Sequence, residues 1–408
     1  MTTAGLAPAV VCAQGAAKIV VVGGGFGGGA CARQLKKLDP RLDVTLVEAD
    51  KTFIACPMSS EVVAGLRDLK QQEFGYQAIA RAGVSVVAQA AKSVDPGRRH
   101  VTLAGGDRLA YDRLVIAPGI DIDWTGLPGY DQAAAEKMPH AWKAGPQTIL
   151  LRRQLEAMDD GGVVVISLPE SLIRCAPAPY ERASLIACYL KARKPKSKVL
   201  ILDAKDSFSQ QRLFQKAWKE LYPGLIEWVP LSQAGKVTSV DPATCTFITD
   251  FESHKAAVGN VIPPQKAGSI AHAAGVADRT GWCPVEPVIF ESTLQPGIHV
   301  LGDAAVLSGL AKSAYIASEA AKACAAGIVA RLAGRPPAEP QLGNVCYSVA
   351  APDYAFSMKH SYRPQNGQLV EVPGTSSISP LDGDAALRAK EAHEAQDWFR
   401  TTTGEIFA

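Results

Sequence analysis

Three glycines near the N-terminus have the spacing of a phosphate-binding turn. Gly23, Gly25 and Gly28 follow the apolar run Lys18–Val22, and a helical pattern comes directly after them. Glycine at these positions allows a tight turn, a close approach of a pyrophosphate to the backbone, and close packing of the helix on the strand. The free N–H groups at the start of that helix attract the phosphates. The spacing therefore predicts a dinucleotide site.

An acidic residue completes this pattern. A second predicted strand, Val44–Val47, leads into Glu48, which follows Gly28 by twenty residues. A carboxylate at this distance accepts hydrogen bonds from a ribose 2′-OH and disfavours a 2′-phosphate. A glycine-rich loop in an unrelated α/β protein is the weaker interpretation, because strand, turn, helix, second strand and acid all occur in the right order.

Two later segments fit the same kind of cofactor. An apolar strand ends in Ala117-Pro118-Gly119, the position at which two-dinucleotide flavoproteins leave their first domain. Without the other markers, it would read as a plain buried strand and turn. The segment GIHVLGDAA, residues 297–305, brings Gly302 and Asp303 to the predicted N-terminal end of a helix. There a carboxylate can bond a ribityl hydroxyl, and the helix dipole can meet a pyrophosphate.

The middle of the chain continues the alternation of strands and helices without a second glycine turn. A predicted strand, Gly162–Ser167, is followed by Pro169, Pro177 and Pro179, where a pyridine-nucleotide site would need glycines. Proline lacks an N–H group and adds bulk, so this loop cannot cradle a second pyrophosphate. We therefore predict an NAD-like domain whose nucleotide site is degenerate.

Composition excludes several classes of protein. The chain has 408 residues, of which 47% are hydrophobic and 20% are charged, and its net charge is +2. These values predict a globular protein of two or three domains that does not bind nucleic acid by charge. No run of about 18 apolar residues occurs, so no transmembrane anchor is predicted. The segment Ala4–Val11 with Cys12-Ala13 fits either the remnant of an export signal whose basic front is missing or a leader before the first strand.

The nine cysteines fall into different environments. None forms a C-x-x-C pair, which excludes a zinc knuckle, a thioredoxin motif and a c-type haem site in this chain. Three lie in alanine-rich helical patterns and are predicted core residues: Cys31, Cys188 and Cys324. Four lie beside prolines or aromatic residues in predicted loops: Cys56, Cys175, Cys283 and Cys346.

Several of these loops together resemble the flavoprotein subunit of flavocytochrome c sulfide dehydrogenase, in the two-dinucleotide-domain flavoprotein superfamily. The likeness runs from about Lys18 to the C-terminus and is more specific than the glycine turn alone. The segments that carry it are FIACPMSSEVVAG, HAWKAGPQT, RCAPAPYERAS, NVIPPQKAG, GWCPVEPVIFES and NVCYSVAAPDY.

The resemblance implies roles for three of the loop cysteines. In that family, FAD is attached through its 8α-methyl group to a cysteine at the position of Cys56. The residues alone would instead suggest that Cys56 is a free buried thiol. The family also has a redox disulfide near the flavin, and its cysteines match Cys175 and Cys346. Such a bond persists in a periplasm rather than in a reducing cytosol.

Two further residues keep two interpretations each. Glu181 is either a base near the sulfur chemistry, as the resemblance implies, or a carboxylate that stabilises a helix N-terminus. Cys283 in GWCP is either a flavin-side residue or a thiol packed under Trp282. Trp282 itself is included among the predicted cofactor-binding residues.

The resemblance also implies the fold and the activity. We expect two Rossmann-like, three-layer α/β domains of the glutathione-reductase/sulfide:quinone oxidoreductase type plus a C-terminal interface domain. The expected activity is the oxidation of sulfide to zero-valent sulfur in the periplasm, with electrons passing through FAD to a c-type cytochrome partner that carries the haem. The predicted boundaries are 1–17 for the leader, 18–130 with 265–335 for the FAD-binding domain, 131–264 for the NAD-like domain and 336–408 for the interface domain.

Three other functions are weaker expectations. A sulfide:quinone oxidoreductase shares the fold, but the C-terminal helical pattern at 384–399 is polar nearly all round and lacks the character of a membrane anchor. An NADH-driven reductase lacks its second glycine turn. An accessory flavoprotein that binds a partner without turnover would keep the same loops.

Overall fold

The computed structural model describes residues 15–408. Most of the predicted leader, including Cys12, therefore lies outside the described residues.

Residues 15–145 form a parallel sheet with an antiparallel hairpin beside it. The first strand, KIVVV, has four buried apolar residues, which suits a strand covered by helices on both faces. The elements are β1 (Lys18–Val22), α1 (Phe26–Leu38), β2 (Asp43–Glu48), β3 (Thr52–Ile54), α2 (Ser59–Ala64), β4 (Glu73–Gly75), α3 (Gln77–Arg81), β5 (Ser85–Ala88), β6 (Ala91–Asp95), β7 (His100–Leu103), β8 (Arg108–Ala110), β9 (Arg113–Ile116), β10 (Ile120–Ile122) and α4 (Gln132–Ala135).

Residues 146–267 form a second parallel sheet followed by an antiparallel ribbon. The elements are α5 (Pro146–Ala157), β11 (Val163–Leu168), α6 (Ala178–Arg193), β12 (Lys198–Asp203), α7 (Gln211–Leu221), β13 (Ile226–Val229), β14 (Val237–Asp241), β15 (Thr246–Thr249), β16 (Ser253–Lys255), β17 (Val258–Val261) and β18 (Gln265–Ala267).

The remaining residues complete the first sheet and then add an antiparallel sheet with a long helix. The elements are α8 (Ser269–Ala273), β19 (Cys283–Pro284), β20 (Ile298–Val300), β21 (Ala305–Val306), α9 (Ala314–Leu332), β22 (Leu342–Ala351), β23 (Tyr354–Gln365), β24 (Gln368–Glu371), β25 (Ser377–Ile378) and α10 (Ala385–Phe407). Among the described helices, none is long and apolar enough to cross a membrane.

Two parallel sheets organise the chain. The first has the strand order β20–β9–β1–β2–β5, and the second has the order β13–β12–β11–β17. Because β20 follows the whole second sheet in the sequence, the first sheet takes strands from both sides of it. The predicted α/β fold with two Rossmann-like units is thus confirmed. Sheets of this kind bind ligands beyond the carboxyl ends of their strands.

Small residues let the two helices next to the first sheet approach each other closely. Helix α1 is rich in glycine and alanine on its buried face, and α9 is rich in alanine. Cys31 and Cys324 are fully buried on these helices, as predicted for core residues, whereas Cys188 on α6 is only partly buried.

For the C-terminal part, the sequence suggests short strands and a helix near Asp384–Phe399, and both elements turn out longer in the structure. Strands β22 and β23 have 10 and 12 residues, and they form an antiparallel pair. Helix α10 continues to Phe407 rather than ending near Phe399. The extra turns bury apolar residues, because Phe407 stacks on Phe53 and Phe74 with ring centroids 5.3 Å apart in each case.

Three local predictions were also wrong. The sequence suggests a hairpin of Val101–Leu103 and Leu109–Leu114 around Gly105-Gly106, but its second arm is divided, since β8 ends at Ala110 and the following strand joins the main sheet. Asp303 lies in a single 3-10 turn, Gly302–Ala304, and the long helix begins only at Ala314. Cys346 and Cys283 lie in strands β22 and β19 rather than in loops.

Candidate functional site

A cavity of about 910 Å³ opens between the first sheet, the start of α6 and the C-terminal sheet. Its walls contain most of the predicted site residues: Gly23, Gly25, Glu48, Cys56, Ala117, Gly119, Cys175, Glu181, Gly302, Asp303 and Cys346. Gly28 lies behind this wall, and Trp282 does not line the cavity.

The glycine turn leaves no room for side chains. Gly23 has a positive φ of 98°, and a Cβ there would lie 2.2 Å from the carbonyl oxygen of Ala117. A Cβ on Gly28 would lie 1.8 Å from the carbonyl oxygen of Gly23. The backbone of the turn is therefore exposed to the cavity at the start of α1, as a phosphate site requires.

Replacing Gly28 by alanine is expected to destabilise the protein by at least about 2 kcal/mol, because the new methyl group meets backbone rather than a movable side chain. Urea unfolding measures this loss. The matched control is Gly404→Ala in α10, where a Cβ meets nothing within 4 Å and alanine should add up to about 1 kcal/mol of helix stability. Equal stability of the two variants would contradict the close packing at Gly28.

Glu48 stands at the end of β2 beside the glycine turn. One carboxylate oxygen accepts a hydrogen bond from the Gly24 N–H at 2.7 Å, and the other accepts one from the Asp50 N–H at 3.1 Å. These bonds hold the carboxylate at the cavity wall, where it can still accept from a ribose hydroxyl.

Cys56 lies between β3 and α2 and contacts a different part of the chain. Its sulfur accepts a hydrogen bond from the Ala144 N–H at 3.4 Å and lies 3.9 Å from the carbonyl oxygen of Trp142. Nearby Met58 has a positive φ of 65°, so the backbone turns sharply between Cys56 and α2. The segment 142–144 thus fixes the Cys56 sulfur at the cavity wall.

The fold brings Cys175 and Cys346 together from distant parts of the sequence. Both are free thiols in this structure, and the neighbouring Cys346 thiol, together with burial, raises the pKa of Cys175 well above its usual value. Cys175 has a positive φ of 53°, which is uncommon outside glycine. Its N–H donates to the carbonyl oxygen of Lys312 at 2.9 Å, which anchors the loop before α6.

Glu181 lies in the first turn of α6, beside the two cysteines. Burial raises the pKa of its carboxyl group to about 7, and the negative charge of Glu61 acts in the same direction. A carboxylate oxygen accepts a hydrogen bond from the Val349 N–H at 2.9 Å. Glu181 can therefore exchange a proton near neutral pH, as a general base must.

Asp303 has a cationic neighbour that the sequence did not identify. The guanidinium group of Arg174 lies 3.6 Å from the Asp303 carboxylate, and both side chains are 16% exposed. Arg174 directly precedes Cys175, and its Nη2 also donates to the carbonyl oxygen of Trp142. One arginine thereby connects the Asp303 turn to the segment that holds Cys56.

A second arginine and an asparagine hold the same segment. Arg182 donates to the carbonyl oxygens of His140 and Ala141 at 3.0 and 2.7 Å, and Asn260 donates to that of His140 at 2.9 Å. The signal in the sequence was that Arg182 and Asn260 lie in segments that carried the family resemblance, RCAPAPYERAS and NVIPPQKAG. Their bonding partners are far away in the chain, so no local pattern revealed them.

Trp282 and Cys283 lie away from the cavity wall. The Lys312 ammonium group sits 3.8 Å from the Trp282 ring centroid and donates to the carbonyl oxygens of Asp303 and Ala305 at 2.6 and 2.9 Å. Burial lowers the pKa of Lys312 to about 8 and raises that of Cys283 to about 12. Lys312 thus binds the backbone of the Asp303 turn, and the Trp282 ring packs against its ammonium group.

Aromatic side chains surround the carboxylate at the end of β12 in the second sheet. Asp203, at the end of β12, is fully buried and accepts hydrogen bonds from Tyr180 Oη at 2.5 Å and from Trp228 Nε1 at 3.0 Å. Tyr180 stacks on Phe208 with ring centroids 3.6 Å apart. The acid that would bind a ribose is thus already bonded to the protein.

Comparisons with known proteins agree with this architecture. The family profile for pyridine nucleotide-disulphide oxidoreductases matches residues 17–152. The structure of the sulfide:quinone oxidoreductase from the bacterium Aquifex aeolicus superposes with a TM-score of 0.76 at 18% identity, over 96% of this chain and 93% of that one. Mouse mitochondrial sulfide:quinone oxidoreductase is 22% identical over 74% of this chain and 68% of its own length.

The fold and cavity thus define an oxidoreductase of the pyridine nucleotide-disulphide oxidoreductase class. Two more specific profiles match later segments of the chain: sulfide dehydrogenase (flavocytochrome c) flavoprotein chain, central, at residues 148–263, and flavocytochrome c sulphide dehydrogenase, flavin-binding, at residues 338–407. The flavoprotein chain of Chlorobaculum thiosulfatiphilum is 54% identical over 48 residues, which are 12% of this chain and the whole of that relative. The chain belongs to the family of flavocytochrome c sulfide dehydrogenase flavoprotein chains.

Proposed function

We propose that this chain is the FAD-carrying subunit of a periplasmic sulfide dehydrogenase that oxidises sulfide and passes the electrons to a c-type cytochrome. The observation that carries the proposal is the meeting of Cys175 and Cys346 in the same cavity as the glycine turn. A thiol pair next to a dinucleotide cradle is the arrangement that disulfide-based sulfur oxidation needs.

The residues of the cavity fit FAD. A Cβ at Gly23 or Gly28 would collide with backbone, so these positions keep the turn open for a pyrophosphate, and Glu48 offers its carboxylate to a ribose. Asp303 offers a second carboxylate to the ribityl chain. When bound, FAD supplies a two-electron acceptor. The filled nucleotide position around Asp203 favours FAD as the cofactor over a pyridine nucleotide.

Cys56 is the proposed site of covalent attachment to the flavin 8α carbon. Its sulfur is held in place by the Ala144 N–H and lies at the cavity wall rather than in the core. A thioether at this position keeps the cofactor from being lost to the medium.

The two cysteines carry the sulfur chemistry as a disulfide. Hydrosulfide attacks one sulfur and the S–S bond breaks, which gives a persulfide on one cysteine and a thiolate on the other. A second hydrosulfide then takes the outer sulfur as HSS⁻, leaving one thiol and one thiolate. Re-forming the disulfide releases one proton and two electrons, so that two HS⁻ become HSS⁻, a proton and two electrons.

Glu181 is the proposed acceptor of that proton. At fixed HS⁻ concentration, flavin reduction should fall as the pH drops through about 7, because protonated Glu181 cannot accept a proton. Stopped-flow measurement of wild type and Glu181→Gln tests this. The variant should be slower by about 10² or more and should lose that pH dependence. An unchanged profile in Glu181→Gln would assign the carboxylate to helix stabilisation alone.

A c-type cytochrome partner is the proposed exit for the electrons, and the haem is assigned to that partner because these 408 residues contain no C-x-x-C-H motif. The C-terminal domain is the proposed contact, because it reaches the cavity with Tyr347 from β22 and Trp398 from α10. A redox disulfide and an exported cytochrome partner both fit a periplasmic location.

Anaerobic addition of sulfide to the purified flavoprotein tests the whole proposal. We expect bleaching of the flavin absorption band by sulfide but not by thiosulfate, followed by reduction of added cytochrome c. A flavin that remains oxidised under excess sulfide would overturn the proposal and would favour an accessory role without turnover.

Sulfide:quinone oxidoreduction is the second candidate, favoured by the likeness to the mouse and Aquifex aeolicus proteins over most of the chain. The two candidate functions differ in the electron acceptor, which is a cytochrome in the first and a quinone in the second. Sulfide-dependent reduction of a soluble quinone at a rate far above that of cytochrome c would support this candidate.

A further inference from the structure

Arg182 is an unusual buried cation. The residue is 2% exposed and lines the cavity, and no carboxylate in residues 15–408 forms an ion pair with it. Its three hydrogen bonds go to two backbone carbonyls and to the side-chain oxygen of Asn260, at 3.2 Å in the last case. Buried charges in proteins are normally paired with an opposite charge. This guanidinium group is an exception, because its partners are neutral.

Two buried donors beside the cavity are also without partners. Within the described part of the chain, neither Arg182 Nε nor Trp142 Nε1 has a hydrogen-bond acceptor, although both are buried. The Arg182 guanidinium carbon lies 5.0 Å from the centroid of the Trp142 ring, so the two donors belong to one cluster. Unsatisfied buried donors are uncommon and call for an acceptor.

Arg174 adds a second cation to this wall. It donates to the carbonyl oxygen of Trp142, next to the carbonyl of Ala141 that Arg182 binds. Burial, together with the nearby positive charge of Arg174, lowers the pKa of Arg182 to about 10. Among the described residues, the carboxylates that act on these two arginines are Asp303, which faces Arg174 at 3.6 Å, and Glu181, which is half protonated near pH 7. The pair therefore carries excess positive charge.

We propose that Arg174 and Arg182 form an anion-binding site that holds the substrate as hydrosulfide next to Cys175. This deepens the proposed function and rests on it. The site concentrates a small anion at the two cysteines, since Arg174 immediately precedes Cys175 in the chain and both arginines line the cavity that contains Cys175 and Cys346. Charge-assisted hydrogen bonds from buried arginines bind such an anion more tightly than neutral donors do.

Bromide is the probe, because it is monovalent, similar in size to hydrosulfide and unreactive towards disulfides. Crystals of the flavin-loaded protein soaked in bromide should give an anomalous peak in contact with both guanidinium groups, and bromide should compete with sulfide in flavin reduction. No peak at this wall, together with no competition, would overturn the site.

Variants separate charge from structure. Arg182→Gln and Arg174→Gln should each raise the sulfide KM at least about tenfold with a much smaller change in kcat. Arg182→Lys should recover much of the affinity, because it restores the charge without the two-carbonyl bridge. The control is Arg152→Gln, an arginine outside the cavity wall that also lies over an aromatic ring, Tyr189, at 4.7 Å. Its KM should not change.

The outcomes distinguish this site from the proposed function. If sulfide never bleaches the wild-type flavin, the proposed function is wrong. The bromide peak then still decides whether the two arginines bind an anion. If sulfide bleaches the flavin while KM is unchanged in both glutamine variants, the arginines serve only to hold residues 140–142 and the anion site is wrong. The bromide experiment uses the wild-type protein. It therefore tests the anion site even if Arg182→Gln fails to fold.

Discussion

Replacing Cys346 by serine is expected to abolish bleaching of the flavin by sulfide. In the proposed mechanism hydrosulfide attacks a Cys175–Cys346 disulfide, and a serine hydroxyl cannot form that bond, so the sulfur would not be transferred and no electrons would be released. The rate of flavin reduction should fall by more than about a thousandfold, measured anaerobically by stopped-flow absorbance. Dithionite should still bleach the variant, because it reduces flavin without the cysteines.

The control for this variant is Cys245→Ser. Cys245 resembles Cys175 in having a positive φ, 54° against 53°, but it lies in the turn between β14 and β15, away from the cavity wall. Its replacement should leave the rate unchanged. Full-rate reduction by sulfide in Cys346→Ser would exclude the disulfide mechanism, whatever the control shows.

Replacing Cys56 by serine is expected to convert a covalently bound flavin into a dissociable one. After acid precipitation, the yellow flavin of the wild type should remain with the protein pellet, whereas that of Cys56→Ser should appear in the supernatant. Mass spectrometry of the peptide that contains residue 56 should show the mass of FAD on the wild type alone. The expected change is nearly complete, since the proposed attachment is a single thioether bond.

Cys175→Ser is the matched control for covalent attachment. That variant loses the sulfur chemistry but keeps Cys56, so its flavin should stay in the acid pellet. Flavin that remains with acid-precipitated Cys56→Ser would mean that another residue forms the bond, and free flavin in the wild type would mean that no bond exists.

The fold and the cofactor cradle could be predicted from the sequence because their signals are local. Gly23 and Gly28 are required by contacts within one strand–turn–helix unit, and Glu48 follows in the next strand. That the second site is degenerate stays a prediction, made because prolines stand where glycines are needed. The sequence did not reveal that Tyr180 and Trp228 bond Asp203, since that arrangement depends on how two strands and a helix pack.

The sulfur side of the cavity could not be predicted from local pattern. Cys175 and Cys346 were paired only through resemblance, and Arg182 received no role because its partners, the carbonyls of residues 140 and 141, precede it by a whole helix and strand. The C-terminal helix was predicted too short for a similar reason. Its last turn is stabilised by Phe53 and Phe74, which are remote in the sequence.

The packing of Phe407 has a consequence for the order of folding. Phe53, which borders the turn at Gly25, stacks on a residue more than 350 positions later in the chain. Contacts of such long sequence separation form late, because closing the intervening chain is entropically costly. During synthesis the nucleotide cradle therefore stays incomplete until α10 has emerged, so flavin loading follows the folding of the whole polypeptide rather than of its N-terminal part.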